Sequence, residues 1–129
     1  MNKYKDLKIW QKAVELSVNV YRLTQDFPKD EVYGLVSQMR RSSVSIASNI
    51  AEGSGRSSAK EFSHFLSISY GSCCEMETQM IIAERNKFIL KQDFDAIQSD
   101  LLEIQKMNWA LKRTLNKTIS KNQVPSTNN

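Results

Sequence analysis

The strongest constraint on the fold comes from the last third of the chain. From about Asp93 to Ser120, Ile97, Leu101, Ile104, Asn108, Leu111 and Leu115 alternate spacings of four and three, which is the period of a helix seam packed in a bundle. A helix with one apolar stripe buries that stripe against other helices. The partners must therefore come from the remaining sequence.

Three further segments carry helical periodicity. Trp10, Ala13, Val14, Val20 and Tyr21 recur at helical spacing in a first helix capped by Asp6 and running to about Thr24. Phe27-Pro28-Lys29-Asp30 breaks it, and Asp30 is a ready cap for a second helix containing Leu35, Met39, Ile46 and Ile50, which stops near Gly53-Ser54-Gly55. Ser58-Ala59-Lys60-Glu61 has the form of a capping box. The third helix that it opens buries a stripe of Phe62, Phe65, Leu66, Ser69, Cys73, Met76, Met80 and Ala83. The expected helices span about 7–24, 31–53, 59–85 and 93–120, within one domain of residues 1–121. Residues 122–129 (NQVPSTNN) lack periodicity and are expected to be disordered.

Four long helices with short connections predict an all-α, up-down-up-down four-helix bundle. A three-helix core with a docked arm is the alternative, and it is disfavoured because all four segments have their own stripe. At 129 residues, 40% hydrophobic and 25% charged, the composition fits one globular domain. Nowhere do about 18 apolar residues run together, and the lysine-bearing start MNKYKDLKIWQKAVEL has no uninterrupted apolar core. The chain is expected to be neither exported nor membrane-spanning. Cys73 and Cys74 are helical neighbours whose side chains diverge by about 100°. They read as reduced cysteines of a cytoplasmic protein.

Two helices carry more apolar surface than one core requires. Ile9, Leu16 and Leu23, at seven-residue spacing, lie roughly 100° or more from the Trp10, Val14 and Tyr21 line. Leu102 and Trp109 lie roughly 120° to 140° from the helix 4 seam. Such sides suit an intersubunit contact, so a homo-oligomer is expected. Arg41, Ser45, Asn49, Glu52 and Arg56 form a polar stripe on helix 2, either a solvated face or a second subunit contact.

Charge is polarised along the bundle. The starts of helices 1 and 3 and the ends of helices 2 and 4 share one end. Lys3, Lys5, Lys8, Lys12, Arg56, Lys60, Lys112, Arg113, Lys117 and Lys121 gather there, opposed by Asp6, Glu52 and Glu61. The helix dipole favours the lysines at the end of helix 4 and disfavours those at the start of helix 1. Nucleic-acid phosphate, in RNA or DNA, is the expected partner of such an end. No aromatic platform of the single-strand-binding type is expected there. The competing reading is a protein-binding adaptor or scaffold without nucleic acid.

No catalytic residue, metal, cofactor or small-molecule substrate is expected. His64 is the only histidine, and the adjacent cysteines lack CxxC spacing. Gly53-Ser54-Gly55-Arg56 follows a helix and lacks the lysine-serine pair of a phosphate-binding loop. Glu75, Glu77 and Glu84 read as charges on a solvated helix face.

Leu7 to Ala13 (LKIWQKA), Phe27-Pro28 with Glu31 to Leu35, Gln38 to Ile46 (QMRRSSVSI), Asn49 to Arg56 (NIAEGSGR) and Gly71-Ser72 with Glu75 resemble the four-helix-bundle family of 23S rRNA intervening-sequence proteins. The resemblance runs from about residue 4 to residue 115. It implies a left-handed bundle, assembly as a homopentamer and no enzymatic activity. The chain is also similar to the accessory protein of diversity-generating retroelements, a basic pentameric barrel that binds nucleic acid. Two departures stand out. Ser42 replaces a common alanine, and Ser69-Tyr70 replace a small and a basic residue, which removes one positive charge from helix 3.

Overall fold

In the computed structural model, which describes residues 3–122, the chain forms four antiparallel helices closed into an up-and-down bundle. A 3₁₀ turn at Lys3–Asp6 leads into α1 (Lys8–Thr24). A corner follows, made of a 3₁₀ turn at Lys29–Glu31 and a π turn at Val32–Val36, before α2 (Ser37–Ser54). The last two helices are α3 (Ala59–Arg85) and α4 (Lys91–Asn122). Residues 123–129, where the sequence places a disordered tail, lie outside the described residues.

The core seam of α4 follows the spacing read from the sequence. Ile97, Leu101, Ile104 and Asn108 are buried, and Leu111 and Leu115 pack half-buried beyond them. In α1 the core face is shifted: Ala13 and Val20 of the expected stripe are buried and Trp10 and Val14 pack half-buried against the core, but the centre of the face lies elsewhere. Ile9 is 3% exposed and Leu16 is 1% exposed, so both are core residues and not a subunit surface, and Leu23 packs half-buried against the same core. Steps of four and three through Ile9, Ala13, Leu16 and Val20 keep all four within about 60°. Trp10, Val14 and Tyr21 sit about 100° round from them, and Tyr21 is 43% exposed. The size of the two aromatic residues drew the predicted seam away from the narrower aliphatic one.

Helix ends also differ from expectation in instructive ways. Leu7, not Asp6, precedes α1, and Asp30 lies inside a 3₁₀ turn; neither α1 nor α2 has a side-chain cap. Instead α1 is closed from another helix. Arg40 of α2 donates from Nε to Thr24 Oγ1 at 2.9 Å and from Nη2 to the Tyr21 carbonyl at 3.2 Å, with its guanidinium 4.7 Å from the Tyr21 ring centre. The Tyr21 carbonyl, which also accepts from the Thr24 hydroxyl at 3.2 Å, thus gains a cationic donor at the helix end. At α3 the serine cap is present: the Glu61 N–H donates to Ser58 Oγ at 3.1 Å. The Glu61 carboxylate accepts from the Ser58 hydroxyl at 3.2 Å, so the return bond of the expected box goes to the side chain.

Helix α3 ends in a Schellman motif, with the Phe88 N–H donating to the Ala83 carbonyl at 2.9 Å and the Lys87 N–H to the Glu84 carbonyl at 3.0 Å. Lys87 occupies the left-handed position, at φ 62°. Phe88 then packs on Phe27 with ring centres 5.8 Å apart, which ties the α1–α2 corner to the α3–α4 connection.

The tightest contact is between α2 and α3. A Cβ built on Gly53 would fall 2.7 Å from Phe65 Cβ and 2.9 Å from Phe62 Cδ1, so glycine is required by proximity. Further along the same interface Ser69 donates to the Ile46 carbonyl at 2.8 Å, and the Ser45 and Ser72 hydroxyls lie 2.8 Å apart. Between α3 and α4, buried Asn108 donates from Nδ2 to the Leu66 carbonyl at 2.9 Å.

Two predictions follow from this packing. The same substitution should have opposite signs at two helical glycines: Gly53→Ala destabilises by roughly 1–3 kcal/mol through overpacking. Gly71→Ala, where no atom lies within 4 Å of the added carbon, stabilises by about 0.5–1 kcal/mol through helix propensity; urea unfolding of the two variants checks both. Lys87→Gly should raise stability by about 1 kcal/mol, since glycine bears no steric cost in the left-handed region. An unchanged or lower melting temperature would contradict that reading of the α3 terminus.

Candidate nucleic-acid interface

Antiparallel packing brings the predicted basic residues to one end. Ser63 donates to Asn116 Oδ1 at 3.3 Å and Lys112 Nζ donates to Ser67 Oγ, which sets the start of α3 beside the end of α4. Tyr4 shares a surface cleft with Ser48, Ala51, Glu52, Gly55 and Arg56, which sets the N-terminal turn against the end of α2. Lys3, Lys5, Lys8, Lys60, Lys112, Arg113, Lys117 and Lys121 form no ion pair among the described residues.

Two predicted members are compromised. Lys12 lies on the α1–α4 side, where Nζ pairs with Glu103 at 2.8 Å. The hydrogen bond to Glu103 raises the lysine above its ordinary pKa. Asp100 stands beside this pair, its own pKa raised by burial against the opposing pull of Lys12. Arg56 is answered by Glu52 at 2.9 Å and Glu61 at 4.0 Å, and its guanidinium lies 4.8 Å from the Phe65 ring centre. The available charge is therefore concentrated on the N-terminal turn and on α4.

Helix α4 is the more charged contributor. From Ile104 to the end of the chain the sequence contains five basic residues, Lys106, Lys112, Arg113, Lys117 and Lys121, and no Asp or Glu. Because α4 continues to Asn122, only Lys121 falls in its last turn, and the dipole acts within about one turn. It leaves Lys112, Arg113 and Lys117 unexplained. Trp109 lies among them, lining one shallow concavity with Lys112, Arg113, Asn116, Lys117 and Ser120. The Arg113 guanidinium sits 5.3 Å from the Trp109 ring centre. An aromatic surface thus stands at the basic end, where the sequence reading expects none; the seven-residue step from Leu102 grouped Trp109 with an apolar contact and hid its cationic neighbours.

The candidate subunit-contact residues divide. Leu102 and Trp109 are exposed, and with Tyr70 they line a groove of about 480 Å³ between α3 and α4. Ser45 and Asn49 are half-buried and turned inward: Ser45 meets Ser72 of α3, and Asn49 Nδ2 donates to the Ser45 carbonyl at 2.8 Å. Their bonds are made within the chain, while Arg41 is exposed. A different apolar surface was missed from sequence. Val18, Tyr21 and Val44 are exposed on α1 and α2, on the side of the bundle opposite Tyr70 and Leu102. The signal lay in Trp10, Val14, Val18 and Tyr21, one continuous helical side.

The remaining chemistry is quiet. Burial pushes the Cys73 thiol up to about 12, while Cys74 is exposed and both are free. His64 is exposed, its ring edge-on to Phe65 at 5.7 Å. Among the described residues no group of three or more His, Cys, Asp or Glu could hold a metal ion. No described helix is long and apolar enough to cross a membrane.

Comparison with known proteins agrees with the fold. No curated protein sequence matches the chain. A crystal structure of a protein of unknown function from the S23 ribosomal protein family of Bacteroides thetaiotaomicron superposes with a TM-score of 0.76. It is 24% identical, and the match covers 81% of this chain and 95% of that one. The family profile described as 23S rRNA-intervening sequence protein matches residues 5–110. With that match covering both the packed corner and the Gly53 contact, the chain belongs to the 23S rRNA-intervening sequence protein family.

Proposed function

We propose that the protein is a non-enzymatic, cytoplasmic homo-oligomer that holds the backbone of RNA or DNA at its basic end. The observation that carries this reading is the run of cations on α4, Lys112, Arg113 and Lys117, that form no ion pair among the described residues, joined at the same end by Lys3, Lys5, Lys8 and Lys60. Several cations without carboxylate partners repel one another. Phosphates relieve that repulsion and release condensed counterions on binding.

Self-association is supported by the two apolar surfaces. Val18, Tyr21 and Val44 lie on one side of the bundle, and Tyr70 and Leu102 on the other. Two unlike patches on opposite sides suit head-to-tail contacts, and these close into rings when the rotation per subunit permits. A ring of five, as the family resemblance implies, would bring five basic ends onto one rim.

Binding to a short structured RNA should weaken steeply between ~50 and 200 mM salt. Replacing Lys112, Arg113 and Lys117 together by alanine should reduce the log–log salt slope by about 2 to 3. A slope unchanged by that triple substitution would place the phosphate contacts elsewhere. For the assembly, Val18→Glu and Val44→Glu, both at exposed positions, should leave helical content intact and reduce the mass seen by light scattering toward one protomer. A wild-type protein that is already monomeric at micromolar concentration would refute the oligomer.

A further inference from the structure

Phosphates are common to duplexes and unpaired strands, so lysines alone do not select between them. Trp109 supplies a selective element. Its side chain is 63% exposed, and it takes no part in the hydrophobic core. Toward the end of α4 every other residue lining its concavity is polar or cationic, and on its other side it borders the α3–α4 groove with Tyr70 and Leu102. The ring lies outside the core, and most of its apolar area is presented to solvent beside positive charges. Bases in a duplex have their faces covered by neighbouring bases, whereas an unpaired base offers a free face for stacking.

We propose that Trp109 stacks an unpaired base, making the basic end a single-strand site. Arg113 and Lys117 follow on the same side of α4, about 6 and 12 Å further along the axis, where they meet the phosphates that flank the stacked base. The Arg113 guanidinium lies over the indole ring, 5.3 Å from its centre, and adds a second planar group against which a neighbouring base can lie. Asn116 and Ser120 line the same concavity and offer uncharged hydrogen-bonding groups to sugar or base. This assignment rests on the basic-end reading and narrows it to one substrate class. It also takes Trp109 out of the subunit contact and leaves Leu102 and Tyr70 there. Covering Trp109 with an apolar subunit face would bury Arg113 and Lys117 beside it, and α4 has no carboxylate beyond Glu103 to pair with them.

The test uses the full-length chain with Trp10→Phe, so that Trp109 is the only tryptophan emitter. The probes are oligouridylate, oligothymidylate and a mixed-sequence duplex, all of equal length and about 16 nucleotides or base pairs. Both single strands are expected to quench Trp109 emission, and the duplex to leave it unchanged. Oligodeoxyuridylate, which shares its base with the first probe and its sugar with the second, separates the effect of the 2′-hydroxyl from that of the thymine methyl group. In the chain that retains Trp10, Trp109→Ala should weaken single-strand binding about tenfold or more, while duplex affinity, helical content and particle mass stay constant; Trp109→Phe should recover part of the loss. Equal quenching by the duplex, an unchanged single-strand affinity in Trp109→Ala, or a fall in particle mass in that variant would overturn the proposal. If no probe binds at low salt, the basic-end reading itself fails. If all probes bind and only the lysine and arginine substitutions matter, the basic end stands and the single-strand assignment falls.

Discussion

The bundle depends on how closely α2 and α3 approach each other. Gly53 faces Phe62 and Phe65 with no room for a methyl group, and the serines at 45, 69 and 72 continue the contact along the interface. Small residues bring the two backbones together, and hydroxyl groups satisfy the polar atoms that such proximity buries. Helices α1 and α4 then pack against this pair through larger side chains, Leu16 and Val20 from one and Leu101 and Ile104 from the other.

Specificity within the bundle comes from a few polar anchors. An apolar seam repeated every three and four residues tolerates sliding by a full repeat, and a buried polar group with one available partner penalises it. Asn108 serves this purpose for α4 through the Leu66 carbonyl. Arg40 does so for α1, because its two donors reach Thr24 and the Tyr21 carbonyl only in one register. The double-arginine segment of α2 thus splits into Arg40, which holds α1 in place, and Arg41, which faces solvent.

What the sequence revealed followed how local each signal was. The α4 seam, the Ser58 cap and the break after Phe27 depend on residues within one or two turns, and each is found near its expected position. The face of α1 was right in Ala13 and Val20 but centred too far round, because Trp10 and Tyr21 outweigh Ile9 and Leu16 in apolar area while the smaller residues keep the tighter arc. Helix α2 stops at Ser54, within the expected Gly53-Ser54-Gly55 segment, but Arg40 as the closure of α1 and Gly53 as a close contact with α3 are tertiary facts without a local signature. For the candidate interface, the end-to-end polarity of charge was readable once the helices were counted. The pairing of Lys12 with Glu103 and the grouping of Trp109 with Arg113 required the packed helices.

Along α4 the fold and the proposed interface occupy successive stretches. Fully buried positions end at Asn108, and from Trp109 onward the helix carries the exposed aromatic and most of its cations while Leu111 and Leu115 only lean on the core. Substitutions in those last turns change the surface charge of the molecule with little effect on the packing that defines it. A lineage of such proteins can therefore vary the surface at the end of one helix while the remainder of the bundle stays under constant structural constraint. That modularity provides a physical route by which a single scaffold acquires divergent partners.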